Sequence, residues 1–207
     1  MIKRTSLKKI ENLLKENNNW KILDIGCGYT ANKFATTIAD IQDLKSFYKE
    51  KKFIHIVDKK LPFKENEFDF VISSHVIEHV NDLNFFINEI QRISKKGYIE
   101  LPSRLADNLV FENLKDHKWW FVFDDIQNKL ICSKKNQILE PFLNVSTAKI
   151  FEKNFRESFI IELYWEDKID FVIDQKLENL NAKKFSFLKI IKKYLSKKLR
   201  RFLTKKS

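Results

Sequence analysis

The sequence predicts an α/β fold, a mostly parallel sheet with helices on both faces and an antiparallel C-terminal hairpin. Three observations predict it. Apolar strand-like runs alternate with helical periodicity through residue 102, the pattern of a parallel sheet. The first strong run, Lys21 to Ile25, breaks into Gly26-Cys27-Gly28, which holds two of the chain's three glycines. Runs also end in or near acids, at Asp24, Asp40 and Asp58.

Taken in order, Leu7, Ile10, Leu13 and Leu14 fall at helical spacing over residues 5–17, and Asn17-Asn18-Asn19 stops that helix. Trp20 to Ile25 is the first strand. Residues 29–36 carry no helical stripe, and Thr36 to Asp40 reads as a short second strand. Ile41, Leu44, Phe47 and Tyr48 then suggest one face of a helix. Phe53 to Asp58 is the third strand and Glu67 to Ser74 the fourth. Asn81 or Asp82 caps a helix whose face is Leu83, Phe86, Ile87, Ile90 and Ile93. Gly97 is placed at its end, and Tyr98 to Leu101, closed by Pro102, is the fifth strand. Beyond residue 102 the alternation stops. Residues 105–114 read as helical, and two strand pairs follow: Trp119–Phe123 with Lys129–Cys132, and Ser158–Trp165 with Lys168–Ile173. The second pair is the better candidate for a hairpin on the main sheet.

Composition bounds the function. At 207 residues with 43% apolar side chains and 19 phenylalanines, the chain supports one domain with a substantial core. Two cysteines make no disulfide framework, and no apolar run approaches the roughly 20 residues that span a bilayer. A reducing, cytoplasmic setting is expected. The net charge of +11 is local: residues 183–207 hold 11 Lys/Arg and no Asp/Glu, leaving 28 basic and 28 acidic side chains before them. Within that tail Phe185, Leu188, Ile191, Leu195, Leu199 and Phe202 recur at helical spacing, a basic amphipathic helix. An anionic membrane surface at the inner face of the membrane, packing on the domain, and nucleic-acid backbone all stay open as its partner. The neutral charge of the preceding residues weighs against nucleic acid. Oligomeric state is not legible.

The glycine loop formally matches the dinucleotide fingerprint G-x-G-x-x-A over Gly26 to Ala31. Charge argues otherwise. Pyrophosphate needs positive partial charge, and Asp24 two residues before the loop opposes it. A nucleoside cofactor bearing an ammonium and a sulfonium welcomes the same carboxylates.

The segments ILDIGCG, VDKKLPFKENEFDFVISSHVIEHV and EIQRISKKGYIELPS, over residues 20–103, are together far more specific than the loop. The chain resembles the class I S-adenosylmethionine-dependent methyltransferases. That resemblance implies a Rossmann-like, seven-stranded, mostly parallel sheet and S-adenosylmethionine (SAM) as cofactor. It implies that Asp24, Gly26 and Gly28 border the methionine end, with Cys27 in a cofactor-side or apolar niche. Asp40 would meet the ribose hydroxyls, Asp58 the adenine amino group with the Lys59 backbone beside it, and Ser74 and His75 the transferable methyl. Thr30 stands where the family usually has a third glycine. His75 and His79 are the candidate general bases if an acceptor hydroxyl must lose a proton; for His79 a structural or substrate-orienting role stays open. His117, Trp119 and Trp120 read either as an acceptor pocket or as a strand with core aromatics. Cys132 has no metal-ligand spacing with any histidine, and no metal is expected.

The domain is expected over residues 1–182, with the tail over 183–207. Two alternatives to a methyltransferase stay open: a nicotinamide-dependent oxidoreductase on a similar sheet, and a non-catalytic SAM-binding module docked through its tail. The acceptor is not legible; small molecules and lipid-linked or cell-envelope glycans are the classes considered.

Overall fold

The computed structural model describes residues 1–174, 183 and 186–204. The expected boundary at residue 182 and the side chains of Phe185 and Phe202 lie outside what is described. A seven-stranded sheet runs in the order β1-β9-β6-β5-β2-β3-β4. Its parallel strands are β2 (Ile22–Ile25), β3 (Thr37–Asp40), β4 (Lys52–His55), β5 (Phe70–Ser74) and β6 (Lys96–Pro102). The antiparallel strand β9 (Ile160–Glu166) pairs with β6 on one side and with β1 (Ile2–Arg4) on the other. The N-terminus therefore supplies the last strand, and Ile2 is fully buried there. No pattern of length or alternation in three residues announces it.

Side chains alternate between two cores, as the two-residue strand period demands. On one face Ile22, Phe70, Ile72 and Tyr98 receive Ile10 and Leu14 of α1 (Leu7–Glu16). On the other, Leu23, Ile25, Val71, Ile99 and Leu163 share a larger core with Leu83, Ile87, Ile90 and Ile93 of α2 (Leu83–Ile93). Asp82 caps α2, its Oδ1 accepting the Phe85 amide at 3.0 Å.

A second, three-stranded sheet joins β7 (Trp119–Asp124), β8 (Lys129–Lys134) and β10 (Phe171–Asp174), and its Phe121, Leu130 and Cys132 enter the larger core. The hairpin over β7 and β8 forms as expected, but on this sheet. The Ser158–Ile173 pair divides: β9 joins the main sheet, whereas β10 runs parallel to β8.

Two local expectations change. Residues 41–51 form turns, not a helix. The Asp40 side chain takes the Gln42 amide at 2.9 Å and Tyr48 is held against the glycine loop, so the backbone follows side-chain bonds instead of an i→i−4 ladder. Gly97 does not end α2 but lies inside β6, where a Cβ would stand 2.5 Å from both the Val71 carbonyl and Trp165 Nε1. The remaining helices are α3 (Arg104–Leu109), α4 (Asn113–Asp116), α5 (Val145–Asn154), α6 (Arg156–Phe159) and α7 (Phe187–Thr204). No described helix is long and apolar enough to cross a membrane.

Candidate active site

The carboxyl ends of β2, β3 and β5 meet beside one loop, the edge at which open parallel sheets hold ligands. Residues 26–36 cross from β2 to β3 without a helix, and side chains hold their shape. Gly26 takes φ +70 and Gly28 φ +48, conformations that suit glycine. The Gly26 amide donates to the Ala39 carbonyl at 2.7 Å, and the Gly28 amide to Asp40 Oδ2 at 2.9 Å. Tyr48 spans the loop, its hydroxyl donating to the Gly28 carbonyl at 2.9 Å and accepting the Ala31 amide at 3.0 Å. Asp24 Oδ2 accepts the Asn32 amide at 2.7 Å, while no described residue donates to its Oδ1.

Both acids are buried. Burial raises the Asp24 pKa; the Asn32 amide and Lys51 offset it in part, Asp40 adds to it, and the value settles at about 6. Cys27 is also buried, and burial together with the charges of Asp24 and Asp40 pushes its thiol up to about 12. It stays protonated at neutral pH and is no nucleophile. A Cβ on Gly26 would stand 2.3 Å from Val76 Cγ2, whereas one on Gly28 would meet nothing within 4 Å. Space therefore opens at Gly28 and closes at Gly26.

Asp58 and Lys59 are exposed in the loop beyond β4, which ends at His55 and not at Asp58. Lys59 Nζ binds Asp82 Oδ2 at 2.8 Å and lies over the Phe85 ring. Ser74, the last residue of β5, donates to Glu100 Oε1 at 3.1 Å. His75 follows at φ +54, its Nδ1 3.2 Å from Glu78 Oε1 and its Nε2 3.3 Å from Glu100 Oε1. The His75 side chain is 41% exposed, so desolvation opposes its charge only in part; the bonds to Glu100 and Glu78 outweigh it and push the pKa up to about 10.

Behind His75 a polar network continues into the sheet. The Tyr98 hydroxyl lies 2.6 Å from Glu100 Oε2 and 2.9 Å from Glu162 Oε1, and Arg156 bridges both carboxylates. Burial alone would raise Glu100, yet its bonds to His75 and Tyr98 and the charges of His75 and Arg156 hold it down at about 2.

His79 sits in a 3-10 turn (Ile77–His79) and turns away from His75 towards His117, the two rings perpendicular with centroids 4.6 Å apart. Three hydrogen bonds clip the start of β7 to this turn. The Lys118 amide donates to the Glu78 carbonyl at 2.7 Å, Lys118 Nζ to Asn81 at 2.9 Å, and Trp119 Nε1 to the Val80 carbonyl at 2.8 Å. Trp119 and Trp120 are core aromatics, while His117 borders a cleft of about 400 Å³ lined also by Asn81, Lys118, Lys134 and Lys135. Asp107, which the sequence reading did not single out, anchors this wall. Fully buried, it accepts from His117 Nδ1 and Trp120 Nε1, each at 2.5 Å, and pairs with Lys135 at 3.1 Å. Tyr48 was missed as well, because its spacing reads as the apolar face of a helix.

A parallel sheet whose switch region carries a glycine loop between two buried acids is an α/β fold with its ligand edge at that loop. The methyltransferase domain family matches residues 23–99. The chain is 30% identical over 186 residues to a ubiquinone biosynthesis O-methyltransferase of Pelagibacter ubique, covering 76% of this chain and 73% of that protein. It is 33% identical over 197 residues to an uncharacterised protein of Methanocaldococcus jannaschii, covering 88% of this chain and 80% of that one. A SAM-dependent methyltransferase from Aquifex aeolicus aligns over 75% of this chain and 87% of its own, at 12% identity and TM-score 0.40. The chain belongs to the class I SAM-dependent methyltransferases, and its cofactor is SAM.

Proposed function

We propose that this enzyme methylates a hydroxyl oxygen of a small molecule, with SAM held by the loop between Asp24 and Asp40. The buried Asp24 carboxylate carries the cofactor reading, because its Oδ1 keeps capacity for a cationic group. When bound, SAM supplies an electrophilic methyl on a sulfonium. Asp24 faces the ammonium, Gly28 leaves open space for close approach, and Gly26 lets the loop pack against Val76 with Cys27 between them in the sequence. Asp40 fixes the loop through the Gly28 amide and retains lone pairs for ribose hydroxyls. Asp58 and the Lys59 backbone take the adenine edge, and Ser74 and His75 border the methyl. Alignment in a site that excludes water supplies most of the acceleration.

His75 is ill suited to be the base, because two carboxylates flank its ring and hold its proton. His79 is better placed. Its Nδ1 donates to the Asp116 carbonyl at 3.1 Å, which leaves the lone pair on Nε2. The oxygen acceptor is supported by the Pelagibacter relative and by a second relative, a rat mitochondrial ubiquinone biosynthesis O-methyltransferase, 29% identical over 116 residues. Lys118, Lys134 and Lys135 at the cleft favour an acceptor that carries an acidic group. Labelled-methyl transfer from SAM into fractionated cell extract tests this. Label in alkali-stable ethers of small molecules is expected; label confined to protein or nucleic acid overturns the reading.

The tail favours a location. On α7, Leu188, Ile191, Leu195 and Leu199 are exposed between lysines, and residues 183–207 carry no acid. Such a helix suits an anionic membrane surface, each Lys/Arg contributing on the order of 1 kcal/mol.

A further inference from the structure

We propose that Glu78, His79 and His117 form a binding site for one divalent transition-metal ion. Each offers a donor atom within 4.8 Å of the others. The hydrogen bonds around them leave those donors available. His79 Nδ1 can only donate to the Asp116 carbonyl, so Nε2 bears the lone pair. His117 Nδ1 likewise donates to the buried Asp107 carboxylate, the carboxylate–histidine arrangement that orients a ligating imidazole. Glu78 is fully buried, its Oε1 bonded to His75, and its Oε2 meets no hydrogen-bond partner. A carboxylate oxygen buried without a partner carries an uncompensated desolvation cost, which a bound cation removes.

The donor set selects the ion. Two imidazoles and one carboxylate suit zinc, iron or cobalt and leave coordination positions open, whereas magnesium and calcium prefer an all-oxygen shell. With metal–nitrogen bonds of about 2.0–2.1 Å, the donors must draw together by about 1 Å. His79, exposed and tethered only by its Nδ1 bond to the Asp116 carbonyl and its contact with His117, is the ligand that moves. His117 also lines the cleft, so an ion held here borders the space available to an acceptor and can coordinate its oxygen. That use rests on the proposed oxygen acceptor; the binding itself does not. In the metal-bound protein the ion takes over activation of the hydroxyl from His79, whose Nε2 is then a ligand.

Calorimetric titration of chelator-treated protein with ZnCl2 and with CoCl2, without SAM or acceptor, tests the site. One ion per chain is expected, with affinity at least tenfold weaker in His79→Ala and in His117→Ala and unchanged in His55→Ala. Because His117 binds buried Asp107, His117→Ala could unfold; His79→Ala, whose residue is exposed, keeps the result decisive. Wild-type binding no tighter than that of His79→Ala overturns the site. Adding catechol to the cobalt-loaded protein then separates binding from use. Shifted visible absorption bands support acceptor coordination, and unmoved bands overturn that role while the titration still stands.

Discussion

Asp24 is asked to be buried and charged at once. Its pKa of about 6 lies above the ordinary 3.8, so between those values the folded chain holds more protons than the unfolded one. Stability from this group therefore falls as pH rises from about 4 to 6, and above pH 6 the full cost, on the order of 3 kcal/mol, is present. Asp24→Asn should accordingly raise the melting temperature of cofactor-free protein at pH 7.5, by about 2–4 °C per kcal/mol recovered, while sharply weakening SAM. A melting temperature below wild type would contradict the burial argument. Wild-type SAM affinity should fall roughly tenfold per pH unit below pH 6, and the Asn variant should show no such slope by calorimetry. The loop glycines differ in the same physical terms. Gly28→Ala has open space and meets only the left-handed strain of about 1–2 kcal/mol, whereas Gly26→Ala adds a 2.3 Å clash with Val76. Denaturant unfolding should rank Gly26→Ala as clearly the more destabilising.

At the scale of elements, β6 depends on the absence of a side chain at residue 97. A Cβ there would stand 2.5 Å from the Val71 carbonyl, a backbone atom of the neighbouring strand that cannot rotate away. Gly97→Ala should cost at least about 2–3 kcal/mol, and trimming Trp165 as well should not restore stability, because the carbonyl remains. A full rescue in urea unfolding would show that Trp165 is the sole obstacle. Gly97 also marks where sequence reading stopped. A glycine after an amphipathic run suggests a helix end, and only strand pairing reveals the close approach. Elements whose apolar period is long, such as α2 with its Asp82 cap, were legible, as was the buried run of β5. Elements fixed by distant partners were not. Strand β1 is defined by β9 some 160 positions away, and the turns at 41–51 by Asp40 and Tyr48. The same holds at the site. Asp24, Gly26 and Gly28 were legible because a strand, an acid and glycines stand together. Asp107 and the approach of His117 to His79 were not, because long-range hydrogen bonds bring α3 and β7 to the 3-10 turn.

For the whole molecule the open matter is charge, which is distributed so unevenly that catalysis and location become separable. The 28 basic and 28 acidic side chains before residue 183 leave that part neutral, and the 11 basic residues from 183 onward carry the entire excess. On α7, Leu188, Leu195 and Leu199 are exposed among lysines, the observation behind the proposed membrane location. Leu195→Glu with Leu199→Glu removes apolar contact and adds like charge against those headgroups, while touching none of the residues proposed to hold SAM. The double variant should keep wild-type SAM affinity and melting temperature. In sedimentation with vesicles containing 30% anionic lipid, a composition of about that order being enough to set a surface potential, wild-type binding should be strong at low salt and weaken as salt rises. The variant should stay in the supernatant. Wild-type protein that ignores such vesicles at low salt would refute the membrane location and leave the methyltransferase chemistry untouched. A variant that loses stability instead would show that α7 packs on the domain, since surface substitutions away from contacts shift stability by only about 0.5 kcal/mol.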